Sequence, residues 1–154
     1  MSSRCGILLA GGNGTRLFPL TKSINKHLLP VYDKPMIFYP LSTLMMAGIR
    51  DVAIVTRSID VDLYKNLLGD GSAFGISLTY LIQDQANGIP EGYVLAKKFV
   101  GDRDIALILG DNILIGQGLG KTLEASADIP GARIFAFPVN NPQDYGVVTL
   151  NPDT

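Results

Sequence analysis

The sequence predicts an α/β fold: a Rossmann-like, mostly parallel sheet with helices on both faces. Three observations lead there. Short apolar runs alternate with helical segments along the chain, the order of βαβ units. No repeats, low-complexity segments or linkers interrupt this order, as in a sheet whose strands are covered above and below. The first run, Cys5 to Ala10, breaks directly into Gly11, Gly12 and Gly14. That is a strand turning into bare backbone loop, where such sheets hold ligands.

The elements follow in order. Cys5–Leu9 reads as a buried strand. Residues 35–47 read as a helix, with Pro35 suited to the first turn and Gly48 to the stop; Pro40 inside it should kink or shorten it. Val52–Val55 is the second strand. Val61–Leu68 is a short helix capped by Ser58 or Asp60 and ended by Gly69-Asp70-Gly71. Leu78–Ile82 is the third strand. Pro90–Val100 is a helix with proline at its start and Gly101 at its end. Ile105–Leu109, an apolar run, should be a central strand. Leu119–Ala127 is a helix, and Ile134–Val139 and Val147–Leu150 are strands.

The 154 residues suit one domain. Apolar residues make up 47% and charged residues 18% of the chain, which excludes disorder and favours a compact cytoplasmic fold. The net charge of −1 gives no broad pull toward nucleic acid or a membrane. No apolar stretch is long enough to span a bilayer. The single cysteine, Cys5, lies inside the first apolar run and reads as a buried structural thiol.

The glycine loop points to polyphosphate. Glycines let a ligand approach the main chain, and bare N–H groups form an anion cradle. Arg16 adds a fork of donors suited to phosphate. A dinucleotide fingerprint is excluded because Leu17 stands where a third glycine is needed, which disfavours an NAD-binding reading. The later run Gly116-Gln117-Gly118-Leu119-Gly120-Lys121-Thr122 imitates a P-loop, but Ile115 falls at the required first glycine. It reads as a plain loop and helix start.

Candidate groups for chemistry sit after strands. Asp111, in Leu109-Gly110-Asp111-Asn112, follows the fourth strand. A carboxylate there can serve Mg²⁺, which takes one or two carboxylates and fills its shell with water and phosphate oxygens. Gly-Asp-Asn is equally good turn chemistry. Lys26 can reach the phosphates of the glycine loop or be a solvated loop lysine. His27, the only histidine, reads as an ordinary polar contact. Gln83, after the third strand, can read a base edge through its paired donor and acceptor, or simply close a strand end. Nothing supports a covalent nucleophile.

Several long stretches, in order, resemble the sugar-nucleotide nucleotidyltransferases, most closely the branch that transfers a thymidylyl group to glucose 1-phosphate. They are Leu9 to Leu17, Lys26 to Met36, Tyr39 to Leu44, Leu68 to Ser72, Leu109 to Asn112 and Tyr145 to Val148. The resemblance implies the nucleotide-diphospho-sugar transferase fold. It also implies a reaction in which dTTP or UTP and a sugar 1-phosphate, glucose 1-phosphate first among them, give NDP-sugar and pyrophosphate.

By the same resemblance, Leu9, Gly11, Gly12, Gly14, Thr15 and Arg16 hold the nucleotide, with Gln83 and Gly88 facing the pyrimidine. Arg16 and Lys26 act on the reacting phosphates. Asp111 holds Mg²⁺. Leu109, Asn112, Tyr145 and Gly146 line the sugar side. The implied setting is a cytoplasmic homo-oligomer with no nucleic-acid or membrane partner.

Two departures stand out. After Gln83 the family pattern has a proline three residues on, then Gly-Leu/Ile-Ala-Gln/Glu-Ala. Here the residues are Ala86 and Gly88-Ile89-Pro90-Glu91-Gly92, which leaves dTTP against UTP open. The second is the end, Asn151-Pro152-Asp153-Thr154: a turn signal after a predicted strand, without a return strand. Residues 1–154 therefore read as a nucleotide-binding domain lacking the family's C-terminal part, with an exposed strand edge that favours self-association. The alternative function is a truncated nucleotide-binding module with little or no catalysis.

Overall fold

The computed structural model describes residues 4–85 and 87–149. Its strands are β1 (Arg4–Leu9), β2 (Pro30–Val31), β3 (Lys34–Pro35), β4 (Asp51–Thr56), β5 (Ser77–Ile82) and β6 (Asp104–Leu109). Its α-helices are α1 (Phe38–Met46), α2 (Val61–Leu68), α3 (Ile89–Val100) and α4 (Leu119–Glu124). β1, β4, β5 and β6 form one parallel sheet in the order β5-β4-β1-β6. β2 and β3 form a small antiparallel pair.

Alternation along the strands divides the core. Leu8, Val52, Ile54, Leu78 and Ile108 face one side, where Leu41, Leu44, Tyr64, Leu68 and Leu123 from α1, α2 and α4 cover them. Cys5, Ile7 and Val55 face the other, under Ala96 and Val100 of α3. Ile7, Leu8, Ile54 and Val55 are wholly buried. Each such side chain contributes about 1.5–3 kcal/mol of transfer free energy. Burial also pushes the Cys5 thiol pKa up, as a structural thiol requires.

The strand order positions the site. The chain steps outward from β1 through β4 to β5, and α3 then carries it back so that β6 pairs with the far side of β1. Connections leaving β1 and β6 therefore diverge, and a crevice opens at their carboxyl ends.

The structure corrects several expectations. The helix predicted from Pro35 starts at Phe38, because the Met36 and Ile37 N–H groups donate back to Leu29 O and His27 O. Pro35 instead pairs with Pro30 across β2 and β3. Pro40 falls in the first turn of α1, where its missing N–H is harmless, and produces no break. Asp60 precedes α2 but gives it no side-chain cap; its carboxylate is taken by Asn25 and Arg57. α4 ends at Glu124, short of Ala127.

Among the described residues β6 is an edge strand, not a central one. Ile134–Val139 form no strand, and Ile134, Phe135 and Phe137 are exposed. Residues 147–149 likewise form no strand. Both stretches have strand-like side chains but no neighbour to pair with, and β-propensity alone does not hold a strand. Leu150 and the turn signal at 151–154 lie outside the described residues. Among the described residues the open edges of the sheet are the outer sides of β5 and β6.

Candidate active site

At the crevice between β1 and β6 lies a cavity of about 240 Å³, lined by Leu9, Gly11, Gly12, Lys26, His27, Gln83, Gly88, Ile89, Leu109 and Asp111. β1 delivers Leu9 and the glycine loop, β5 delivers Gln83, and β6 delivers Leu109 and Asp111. The 3-10 turn at Lys26–Leu28 supplies Lys26 and His27, and the start of α3 supplies Ile89.

Lys26 Nζ lies 2.6 Å from Asp111 Oδ2. Burial pushes the Asp111 carboxyl upward, but the Lys26 ammonium outweighs it and holds the group below the usual carboxylate range. A cation and a carboxylate thus stand together in the cavity wall. Gly110 makes this possible. Its N–H donates to Leu9 O at 2.8 Å, continuing the β1–β6 ladder. A Cβ there would stand 2.7 Å from His27 Cδ2 and 2.9 Å from Leu9 O, so only glycine lets the chain pass so close to the ring.

His27 belongs to a buried polar network beneath the glycine loop. Asn25 Nδ2 donates to Asp60 Oδ2 at 2.8 Å and to Ala10 O at 3.4 Å. That fixes Asn25 Oδ1 toward the His27 N–H at 3.0 Å, His27 Nδ1 at 2.7 Å and the Tyr64 hydroxyl at 3.1 Å. An amide oxygen only accepts, so the neutral ring carries its proton on Nδ1. Burial, reinforced by the Lys26 ammonium, lowers the His27 pKa to about 4. Arg57 ties the network outward, donating to Asp60 at 2.7 Å and to Asn13 of the glycine loop at 3.1 Å.

At the opposite wall, Gln83 Nε2 donates to Glu91 Oε2 at 2.5 Å and points to Gly88 O at 3.4 Å. Asn87 Nδ2 donates to Glu91 Oε1 at 3.1 Å. Gly92 lets α3 lie against the cavity wall: a Cβ there would stand 2.6 Å from Leu9 Cδ2.

The sequence-predicted residues thus divide. Leu9, Gly11, Gly12, Lys26, Gln83, Gly88, Leu109 and Asp111 share the cavity. Gly14 sits behind it in the left-handed region, and a Cβ there would stand 3.0 Å from Thr21 Cγ2 and 3.1 Å from Lys26 Cβ. Thr15 and Arg16 occupy the exposed turn after it, and among the described residues Arg16 has no ion-pair or side-chain hydrogen-bond partner. Asn112 is exposed beside Asp111. Tyr145 and Gly146 are exposed past the turn at Pro142–Asp144 and do not line the cavity, because their segment pairs with no strand.

Sequence reasoning passed over Ile89, Glu91 and the Asn25–Tyr64–Asp60 network, and it did not place His27 at the cavity. The glycine before Asp111 was the one available hint of a close neighbour. Nothing local marks Asn25.

The donor set suits a hard cation in part. No group of three or more His, Cys, Asp or Glu side chains is gathered for a metal among the described residues. Asp111 lines the cavity alone, and one carboxylate is enough for Mg²⁺ when phosphate and water complete its shell.

The chain is similar to known proteins along most of its length. A family model described as Nucleotidyl transferase matches residues 5–154. The glucose-1-phosphate thymidylyltransferase of Neisseria meningitidis is 51% identical over 147 residues, 95% of this chain and 51% of that protein. That of Mycobacterium tuberculosis is 52% identical over 148 residues, 96% of this chain and 51% of its own. A Bacillus anthracis protein crystallised in complex with sucrose superposes with a TM-score of 0.73 at 41% identity, covering 80% of this chain and 50% of that one. A UDP-glucose pyrophosphorylase complexed with UDP-glucose gives 0.66 at 28% identity, covering 82% and 52%. The chain spans about half the length of the curated relatives it matches.

Proposed function

Because the chain belongs to the nucleotidyl transferase family, we propose that its cavity binds dTTP or UTP and serves transfer of the nucleotidyl group to a sugar 1-phosphate, glucose 1-phosphate above all. One observation carries this reading: the glycine loop, the Lys26–Asp111 pair and Gln83 meet in a single crevice at the strand-order switch.

In this reading the N–H groups of residues 11–16 and the exposed Arg16 guanidinium hold the triphosphate. Lys26 turns from Asp111 to the reacting phosphates. Asp111 would hold Mg²⁺, which would supply charge neutralisation there. An oxygen of the sugar phosphate forms the new bond to the α-phosphorus, the α–β bridging bond breaks, and pyrophosphate leaves. Such a displacement needs positioning and electrostatics rather than a covalent protein intermediate. Leu109, Asn112, Tyr145 and Gly146 take the sugar side. The buried, lone Cys5 suits the reducing cytoplasm. The open β6 edge supports self-association. No helix among the described residues is long and apolar enough to cross a membrane.

A second reading, a nucleotide-binding module with little turnover, is favoured by a specific observation: Tyr145 and Gly146 stand outside the cavity. Pyrophosphate release with a panel of NTPs and sugar 1-phosphates, run beside calorimetry with the same NTPs, separates the two. Binding with turnover supports transfer, and binding without it supports the module. No binding of any pyrimidine nucleotide overturns both.

A further inference from the structure

Glu91 has a role beyond the start of α3. Both of its carboxylate oxygens are engaged, Oε2 by Gln83 Nε2 at 2.5 Å and Oε1 by Asn87 Nδ2 at 3.1 Å. It lies in the first turn of α3, where the helix dipole favours an anion. A carboxylate only accepts, so Gln83 must turn its amide nitrogen toward Glu91. The reverse orientation would set oxygen against oxygen. The remaining Gln83 N–H points to Gly88 O at 3.4 Å. What Gln83 leaves for the cavity is Oε1, on the glycine-loop side, 3.6 Å from where a Gly11 Cβ would stand.

Resting on the nucleotide-binding reading above, we propose that Glu91 is a positioning residue for base choice: it locks the Gln83 amide so that an acceptor faces the cavity. The ligand edge that fits is a ring N–H. Uracil and thymine carry one at N3, whereas cytosine presents a bare N3 acceptor. Against Oε1 the cytosine nitrogen has no proton to offer, and neither acceptor is satisfied. A glutamine in place of Glu91 can present its own nitrogen or oxygen, so it leaves the Gln83 amide able to turn. A glutamate cannot.

The test is calorimetric, with UTP and CTP as a matched pair that differs only at the C4–N3 edge. The wild-type chain is expected to bind UTP at least about tenfold more tightly than CTP, a ratio equal to one well-made hydrogen bond. Glu91→Gln keeps the shape of the side chain and is expected to cut that ratio at least threefold, chiefly by improving CTP, with UTP affinity largely kept. Glu91→Ala should do the same, and Gln83→Ala should bring the ratio close to one. An unchanged ratio in both Glu91 variants overturns the proposal, and so does an equal loss of affinity for both nucleotides, which would mark Glu91 as merely structural. In either case the binding reading stands. Failure of the wild-type chain to bind any pyrimidine nucleotide overturns that reading together with the proposal.

Discussion

Lys26 and Asp111, 85 residues apart in sequence, meet at 2.6 Å across the mouth of the crevice. Each is the other's partner, and each is also the group proposed to meet phosphate or metal. Ligand binding must therefore exchange this contact for new ones. Both side chains keep some solvent exposure, 22% and 37%, so the pair contributes no more than about 1 kcal/mol to stability. Asp111→Asn should abolish most of the Mg²⁺ dependence of nucleotide binding while moving the unfolding free energy by less than ~1 kcal/mol. Calorimetry with and without Mg²⁺, beside urea denaturation of the free chain, reads both. Intact Mg²⁺ dependence with a large loss of stability would return Asp111 to the role of turn residue.

Arg16 should behave as a pure ligand residue. It is exposed and makes no polar side-chain contact among the described residues, so its removal should cost the fold no more than about 0.5 kcal/mol. Arg16→Ala should nevertheless weaken dTTP or UTP binding by more than about 1 kcal/mol, the least expected for a lost charge-assisted hydrogen bond. Unchanged affinity would remove Arg16 from the phosphate site.

Gly110 admits no side chain. Gly110→Ala would push a Cβ against the His27 ring and against a main-chain oxygen that cannot move aside. It should destabilise the chain by about 1–3 kcal/mol, the usual cost of overpacking. Gly120 in α4 is the contrast, since a Cβ there meets nothing within 4 Å. Gly120→Ala should stabilise by about 0.5–1 kcal/mol, the helix-propensity difference. Urea midpoints of the two variants are expected to move in opposite directions, and a neutral Gly110→Ala would refute the close approach.

His27 makes stability depend on pH in acid. Its folded pKa, about 4, lies below the unfolded value near 6.5. Between these values the unfolded chain binds the proton and the folded chain does not. Stability is therefore complete above the unfolded value and falls as pH drops toward 4, by about 3 kcal/mol from this group. As the only histidine, His27 gives a single set of ring C–H resonances by NMR. A titration midpoint near 6.5 in the folded chain would contradict the buried network.

The elements with their own local signals were legible. β1, α2, β5 and α3 fall within a residue of their predicted bounds because each pairs an apolar pattern with a nearby stop, Gly11, Gly69 or Gly101 among them. Residues 134–139 carry equally good strand chemistry and form no strand, since a strand exists only by pairing and composition cannot supply the neighbour. The site divides the same way. Residues at strand ends, Gly11, Gln83 and Asp111, were traceable from topology. The Glu91–Gln83 contact and the Asn25–His27 contact depend on how side chains turn after packing, which spacing along the chain does not encode.

The placement of β6 at the sheet edge has a kinetic consequence. β6 pairs with β1 across about a hundred residues of intervening chain, a contact of high sequence separation of the kind that slows folding. With one strand neighbour and exposed Asp104 and Ile105, β6 is one of two edge strands, with β5, whose amides should exchange with solvent through smaller openings than those of β1 and β4. A nucleotide bridging the glycine loop and Asp111 would grip both partners of the β1–β6 ladder. Its binding free energy then appears directly as slowed exchange along residues 104–110, making the edge of the sheet a gauge of occupancy in the crevice.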